Sequence, residues 1–88
     1  LDVREDDEWE AGHAQGAAHV PLDSVDPGDF QVDVPVVAVC RSGNRSGKAA
    51  ELLARGGIDV VNMAGGMTAW AAAGLPVVAA DGSPGEIV

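Results

Sequence analysis

The run Val36-Val37-Ala38-Val39 passes directly into Cys40-Arg41-Ser42-Gly43-Asn44-Arg45-Ser46 and then into Lys48-Ala49-Ala50-Glu51-Leu52-Leu53-Ala54-Arg55. A short unbroken run of apolar residues is the pattern of a strand covered on both faces. The segment from Lys48 to Arg55 is made of strong helix formers, with Ala49, Leu52 and Leu53 on one face and Gly56-Gly57 to stop it. Strand, polar loop, helix in that order puts the loop's backbone N–H groups at a helix N-terminus, where anions are favoured and a thiol pKa is lowered. The only cysteine of the chain sits there, so Cys40 reads as a nucleophile rather than a packing residue.

The rest of the chain repeats this grammar. Leu1-Asp2-Val3 reads as the end of a buried strand, and Ile58–Met63 as a second buried strand. Asp6 or Asp7 caps a short helix through Glu8-Trp9-Glu10-Ala11 that Gly12 ends. Gly65-Gly66 turns the chain into a helix over Met67–Ala73, closed by Gly74 with Pro76 beyond. Residues 23–35 read as a polar connection that Phe30 pins to the core. Strands alternating with helices at this spacing give an α/β domain with a small central parallel sheet and helices on both faces. It occupies residues 1–78, followed by a loose tail over 79–88. Ligands of such sheets bind beyond the carboxyl ends of strands, where Cys40 falls.

Charge narrows the function. The 88 residues carry 14 acids and five bases, a net charge of −9. That excludes nucleic acid and an anionic membrane surface as partners. Yet Arg41, Arg45 and Lys48 fall within the nine residues from Cys40 to Lys48, with no acid among them. A positive spot on an acidic domain fits a small anionic substrate. No apolar stretch is long enough to cross a bilayer, and a single thiol suits a reducing, cytoplasmic setting. One cysteine and the widely spaced His13 and His19 do not make a metal site, and no cofactor is expected.

Further motifs resemble those of one family. Leu1-Asp2-Val3-Arg4, with Glu8-Trp9, Gly12-His13 and Gly16-Ala17, looks like the first signature of the rhodanese, or sulfurtransferase, domain. Cys40 to Ser46 resembles its active-site loop, and Gly65-Gly66 with Trp70 and Gly74-Leu75-Pro76-Val77 resembles its closing signature. The resemblance implies a Cys40 that carries sulfane sulfur as a persulfide, taken from a donor such as thiosulfate and passed to cyanide or a thiol, a protein acceptor included. It also implies that the chain lacks a first strand and helix.

Within that chemistry the loop residues Arg41, Ser42, Gly43, Asn44, Arg45 and Ser46 form the substrate site. Their N–H groups make a concave nest for an anionic sulfur. Gly43 permits the turn, Asn44 tolerates unusual dihedrals and offers a side-chain donor, and Arg45 is placed to grip an oxyanion bidentately. His13 and His19 anchor loops, Asp2 and Arg4 pair with each other or nearby backbone, and Trp9, Trp70, Met63 and Met67 pack. Two other classes compete: a Cys-dependent phosphatase or arsenate reductase of related fold, and a non-catalytic regulatory domain. Related phosphatase loops place five residues between Cys and Arg. Here four separate Cys40 from Arg45, which encloses a smaller anion. Non-catalytic relatives usually lack the cysteine.

Overall fold

Strand β2 (Val36–Ala38) and strand β3 (Val60–Asn62) pair in parallel, with Val36 opposite Val60, Val37 opposite Val61 and Ala38 opposite Asn62. They form the centre of a computed structural model that describes residues 1–88. Helix α2 (Asn44–Arg55) is the crossover between them. The first residues continue the layer. Val3 N–H donates to the Val39 carbonyl at 3.0 Å, and Val39 N–H donates to that of Leu1 at 2.8 Å. On the far side Asp2 bridges in parallel to His19. Four chain segments therefore run side by side in one parallel layer, as the alternation of strand and helix signals predicts.

Helix α2 packs on one face of that layer through a stripe at i, i+3 and i+7. Ser46, Ala49 and Leu53 are its buried residues. Ala49 and Leu53 join Val3, Val25, Cys40 and Ile58 in the core, with Val20, Leu22, Phe30, Val36 and Val60 against it. Phe30 thus ties the polar connection down as expected. Two 3₁₀ turns, Leu22–Ser24 and Pro27–Asp29, shape that connection. The opposite face is more open than the apolar runs suggest. Val37 is 46% exposed and Val61 59%, so neither strand is covered on both sides along its whole length. No helix is long and apolar enough to cross a membrane.

Two short helices complete the fold. Helix α1 (Asp6–Ala11) begins one step earlier than an Asp6 or Asp7 cap would place it. Glu5 is the cap, in a reciprocal box with Glu8. Helix α3 (Gly66–Ala72) starts at the second glycine of the pair. A second small ribbon pairs β1 (His13–Ala14) antiparallel to β4 (Val77–Val78). Nothing in those four residues announces it. The ribbon exists because α3 and Gly74 return the chain to the end of α1.

The last ten residues are not loose. Ala80 N–H donates to the Glu10 carbonyl, Gly85 N–H to that of Val77 and Glu86 N–H to that of Ala11, all at 2.9–3.0 Å. Gly- and Pro-rich composition there makes turns that fold back over α1 and β4 rather than a free end. Gly12 is what lets them approach: a Cβ on it would lie 2.7 Å from the Glu86 nitrogen.

Candidate active site

The loop after β2 is built around one sulfur. Cys40 is 1% exposed, and its Sγ accepts hydrogen bonds from Gly43 N–H at 3.1 Å and from the Ser46 hydroxyl at 3.2 Å. Burial pushes the thiol pKa up and is the largest single influence. The Ser46 hydroxyl and the N–H groups of Ser46, Gly43 and Ser42 together outweigh it, and the net shift is downward. The thiolate is therefore favoured chiefly by hydrogen bonds.

Local conformation explains the geometry. Gly43 has φ +112° and ψ −11°, a left-handed backbone that costs a side-chain-bearing residue strain. It reverses the chain so that its own N–H faces Sγ while its carbonyl starts α2, accepting from Gly47 N–H at 3.0 Å. The helix thus begins at Asn44, four residues before the strong helix formers. Arg45 and Ser46 belong to its first turn, and Asn44 is exposed in ordinary helical backbone rather than in an unusual one. The carbonyls on the back of the loop are held by α3: Met67 N–H donates to Cys40 O at 2.8 Å and Thr68 N–H to Arg41 O at 2.9 Å. Gly66 makes this docking possible, because a Cβ there would collide with the Cys40 carbonyl.

Two residues outside the loop complete it. Asn62, at the end of β3, donates from Nδ2 to the Gly43 carbonyl at 3.0 Å and accepts from the Ser46 hydroxyl on Oδ1 at 2.5 Å. Ser46 has one hydroxyl hydrogen, so Oδ1 and the sulfur compete for it. The signal in the sequence was a polar residue on the same strand face as Val60, two positions beyond it, although Asn62 itself is exposed. Glu8 of α1 is the other. Its Oε1 and Oε2 accept from Arg45 Nη1 at 2.6 Å and Nη2 at 2.9 Å. The Arg45 hydrogen bonds hold the Glu8 carboxyl down to about 2, and Glu8 in turn raises Arg45. The fork expected to grip an oxyanion is engaged with a carboxylate of its own chain. Arg41 is exposed and donates from Nε to the Val88 carbonyl at 3.1 Å, and Ser42 is exposed.

The remaining polar residues support the floor. Asp2 and Arg4 pair at 2.7 Å with both side chains fully buried. His13 Nδ1 donates to the Trp9 carbonyl and His19 Nε2 to the Arg4 carbonyl, each at 2.7 Å. Both imidazoles stack on Trp9, at ring separations of 3.6 and 4.8 Å. These are the anchoring roles expected of them. Met67 is buried, and Trp70 is tied to the Pro76 carbonyl at 2.8 Å.

The family profile described as Rhodanese-like domain matches residues 1–73, most of the chain and all of this site. The chain belongs to the rhodanese-like family. Among solved structures, a rhodanese-related protein of Thermoplasma volcanium superposes with a TM-score of 0.83 at 32% identity, covering 89% of this chain and 80% of its own. The fold is accordingly rhodanese-like. YqhL of Bacillus subtilis, an uncharacterized protein, is 37% identical over 73 residues, which is 80% of this chain but 58% of that protein. The thiosulfate sulfurtransferase GlpE of Pseudomonas fluorescens is 39% identical over 75 residues, 80% of this chain and 67% of its own length. This rhodanese-like chain thus spans well under two-thirds of the Bacillus protein.

The Ser46 hydroxyl gives the site its first test. Ser46→Ala should raise the midpoint of Cys40 alkylation by a neutral reagent, by about one pH unit, from the loss of a hydrogen bond to a charged group. A midpoint that does not move would show that the backbone N–H groups alone hold the thiolate.

Proposed function

We propose that this domain is a sulfurtransferase that carries sulfane sulfur on Cys40. The observation that carries the reading is the sulfur at the floor of the loop, with Gly43 N–H and the Ser46 hydroxyl aimed at it. The Cys40 thiolate attacks the outer sulfur of a donor. The donor's S–S bond breaks and its electron pair leaves with sulfite from thiosulfate, or with a thiolate from an organic persulfide. The new persulfide places its outer sulfur about 2 Å beyond Sγ. There the N–H groups of Arg41 to Ser46 provide a ring of donors for the anion. An acceptor thiolate or cyanide then takes the outer sulfur, and the electron pair returns to Sγ. The two half-reactions predict ping-pong kinetics.

Likeness to a thiosulfate sulfurtransferase supports this reading, as does the intact loop. A reducing compartment suits it, since the carrier must start as a free thiol, and a protein thiol can serve as acceptor. A phosphatase would need the Arg45 fork for phosphoryl oxygens, and that fork is occupied by Glu8. The test is intact mass after exposure to thiosulfate and, in parallel, to 2-hydroxyethyl persulfide. One added sulfur, removed again by cyanide, is the expected result. No gain with either donor, together with turnover of aryl phosphates, would overturn the assignment.

A further inference from the structure

Arg45 lies beside the reactive loop, near enough for the charge of Cys40 to act on it, but both of its terminal nitrogens are bonded to Glu8, and that partner is fixed from behind. Glu8 Oε1, which accepts from Arg45 Nη1, also accepts from the Glu5 N–H at 3.1 Å in the capping box of α1. The carboxylate is therefore held by its own helix before it meets the guanidinium, and both carboxylate oxygens are used on the two terminal nitrogens. The pair is partly shielded, with Glu8 15% and Arg45 33% exposed at the side chain. A bidentate fork of this kind is stronger and more directional than a surface contact. With Glu8 ionised down to about pH 2, the pair stays charged, and its positive end stays neutralised, throughout the range in which a thiolate works.

We propose, building on the sulfurtransferase reading, that Glu8 determines donor specificity. By holding Arg45 it withholds from the loop the cation that an oxyanion donor requires, so that sulfur comes from an organic persulfide of low charge rather than from the thiosulfate dianion. The donors that remain on the sulfur are N–H groups and one hydroxyl, from Ser42, Gly43 and Ser46. They suit a single sulfur anion, and they bring no side-chain cation to a sulfonate. Arg41 is turned outward to the Val88 carbonyl. Glu5 adds a second acid near Arg45, and the 88 residues carry a net charge of −9, a field that disfavours the approach of a dianion. In the transfer itself, Sγ bonds to the outer sulfur of R–S–S–H and the donor's S–S bond breaks. Its electron pair leaves on R–S⁻, and the proton stays with the transferred sulfur. No oxidant or reductant is consumed.

The experiment compares second-order rates of sulfur loading onto Cys40, read by intact mass, for thiosulfate and for 2-hydroxyethyl persulfide. Glu8→Gln keeps an amide oxygen for the Glu5 N–H but removes the charge that pins Arg45. The thiosulfate-to-persulfide rate ratio should rise about tenfold in this variant, the worth of one charged hydrogen bond. The rise should vanish in the double variant Glu8→Gln with Arg45→Met. A purely structural role for Glu8 would slow both donors alike, and an unchanged ratio overturns the proposal alone. A native protein that favours thiosulfate over the persulfide overturns it too, even if Glu8→Gln proves unstable. A native protein loaded by neither donor overturns the sulfurtransferase reading and this proposal together.

Discussion

Cys40→Ser is expected to end sulfur loading completely while the domain stays folded. The chain has one thiol, so no second sulfur can stand in for it. A serine hydroxyl at that point stays protonated near neutrality and cannot act as the thiolate does. Folding should survive because the substitution preserves shape and hydrogen bonding: an oxygen there can still accept from Gly43 N–H and the Ser46 hydroxyl. Intact mass after donor treatment reads the first effect, and a thermal melt by circular dichroism reads the second. Loading that persists in a folded Cys40→Ser protein would place the chemistry elsewhere.

The largest effect on stability should come from the buried pair beneath the site. Arg4 Nε lies 3.0 and 3.1 Å from the two Asp2 oxygens. Arg4 Nη2 donates to Asp2 Oδ2 and to the Gly12 carbonyl, both at 2.7 Å. Both side chains are 0% exposed. Arg4→Met leaves the Asp2 carboxylate in the interior with only the Arg4 N–H to meet it. Breaking one side of such a pair costs about 3–5 kcal/mol. A domain of this size has of the order of 4–13 kcal/mol in all, so the single variant should be largely unfolded or nearly so. Replacing both members, Asp2→Leu with Arg4→Met, should recover most of the loss, because apolar residues leave no buried charge. Chemical denaturation of the two variants tests this. An Arg4→Met protein within about 1 kcal/mol of native would mean that water reaches Asp2. The pair also bears on the site. Leu1 and Val3 hydrogen-bond to Val39 on either side of Asp2, so loosening it should loosen the strand that delivers Cys40.

Much of this molecule is legible in its sequence, because the informative signals are local. Val36–Val39 is apolar over too short a run for a helix, and β2 is there. Cys40 lies in the turn that follows, and the alanine- and leucine-rich stretch after it is helical. Gly65-Gly66 opens α3 and Gly74 ends it. Each of these depends on a few neighbouring residues and on backbone sterics, which the order of residue types already contains. What the sequence left open depends on which distant groups meet. The three bases near Cys40 announce a positive site, but a charge pattern gives the sign of a group and not its partner. Only the placement of α1 beside the start of α2 brings Glu8 onto Arg45, 37 residues away, and turns an expected oxyanion grip into an internal pair. Asn62 reaches Gly43 and Ser46 only because β3 lies parallel to β2 in one particular register. Gly43 in the left-handed region moves the start of α2 back to Asn44, and with it Ser46 under the sulfur. The chain order was enough to single out Cys40 and the loop that surrounds it. Which side chains brace the loop around it, and which carboxylate holds Arg45, was decided by tertiary packing, since those contacts are made between segments that no local preference links.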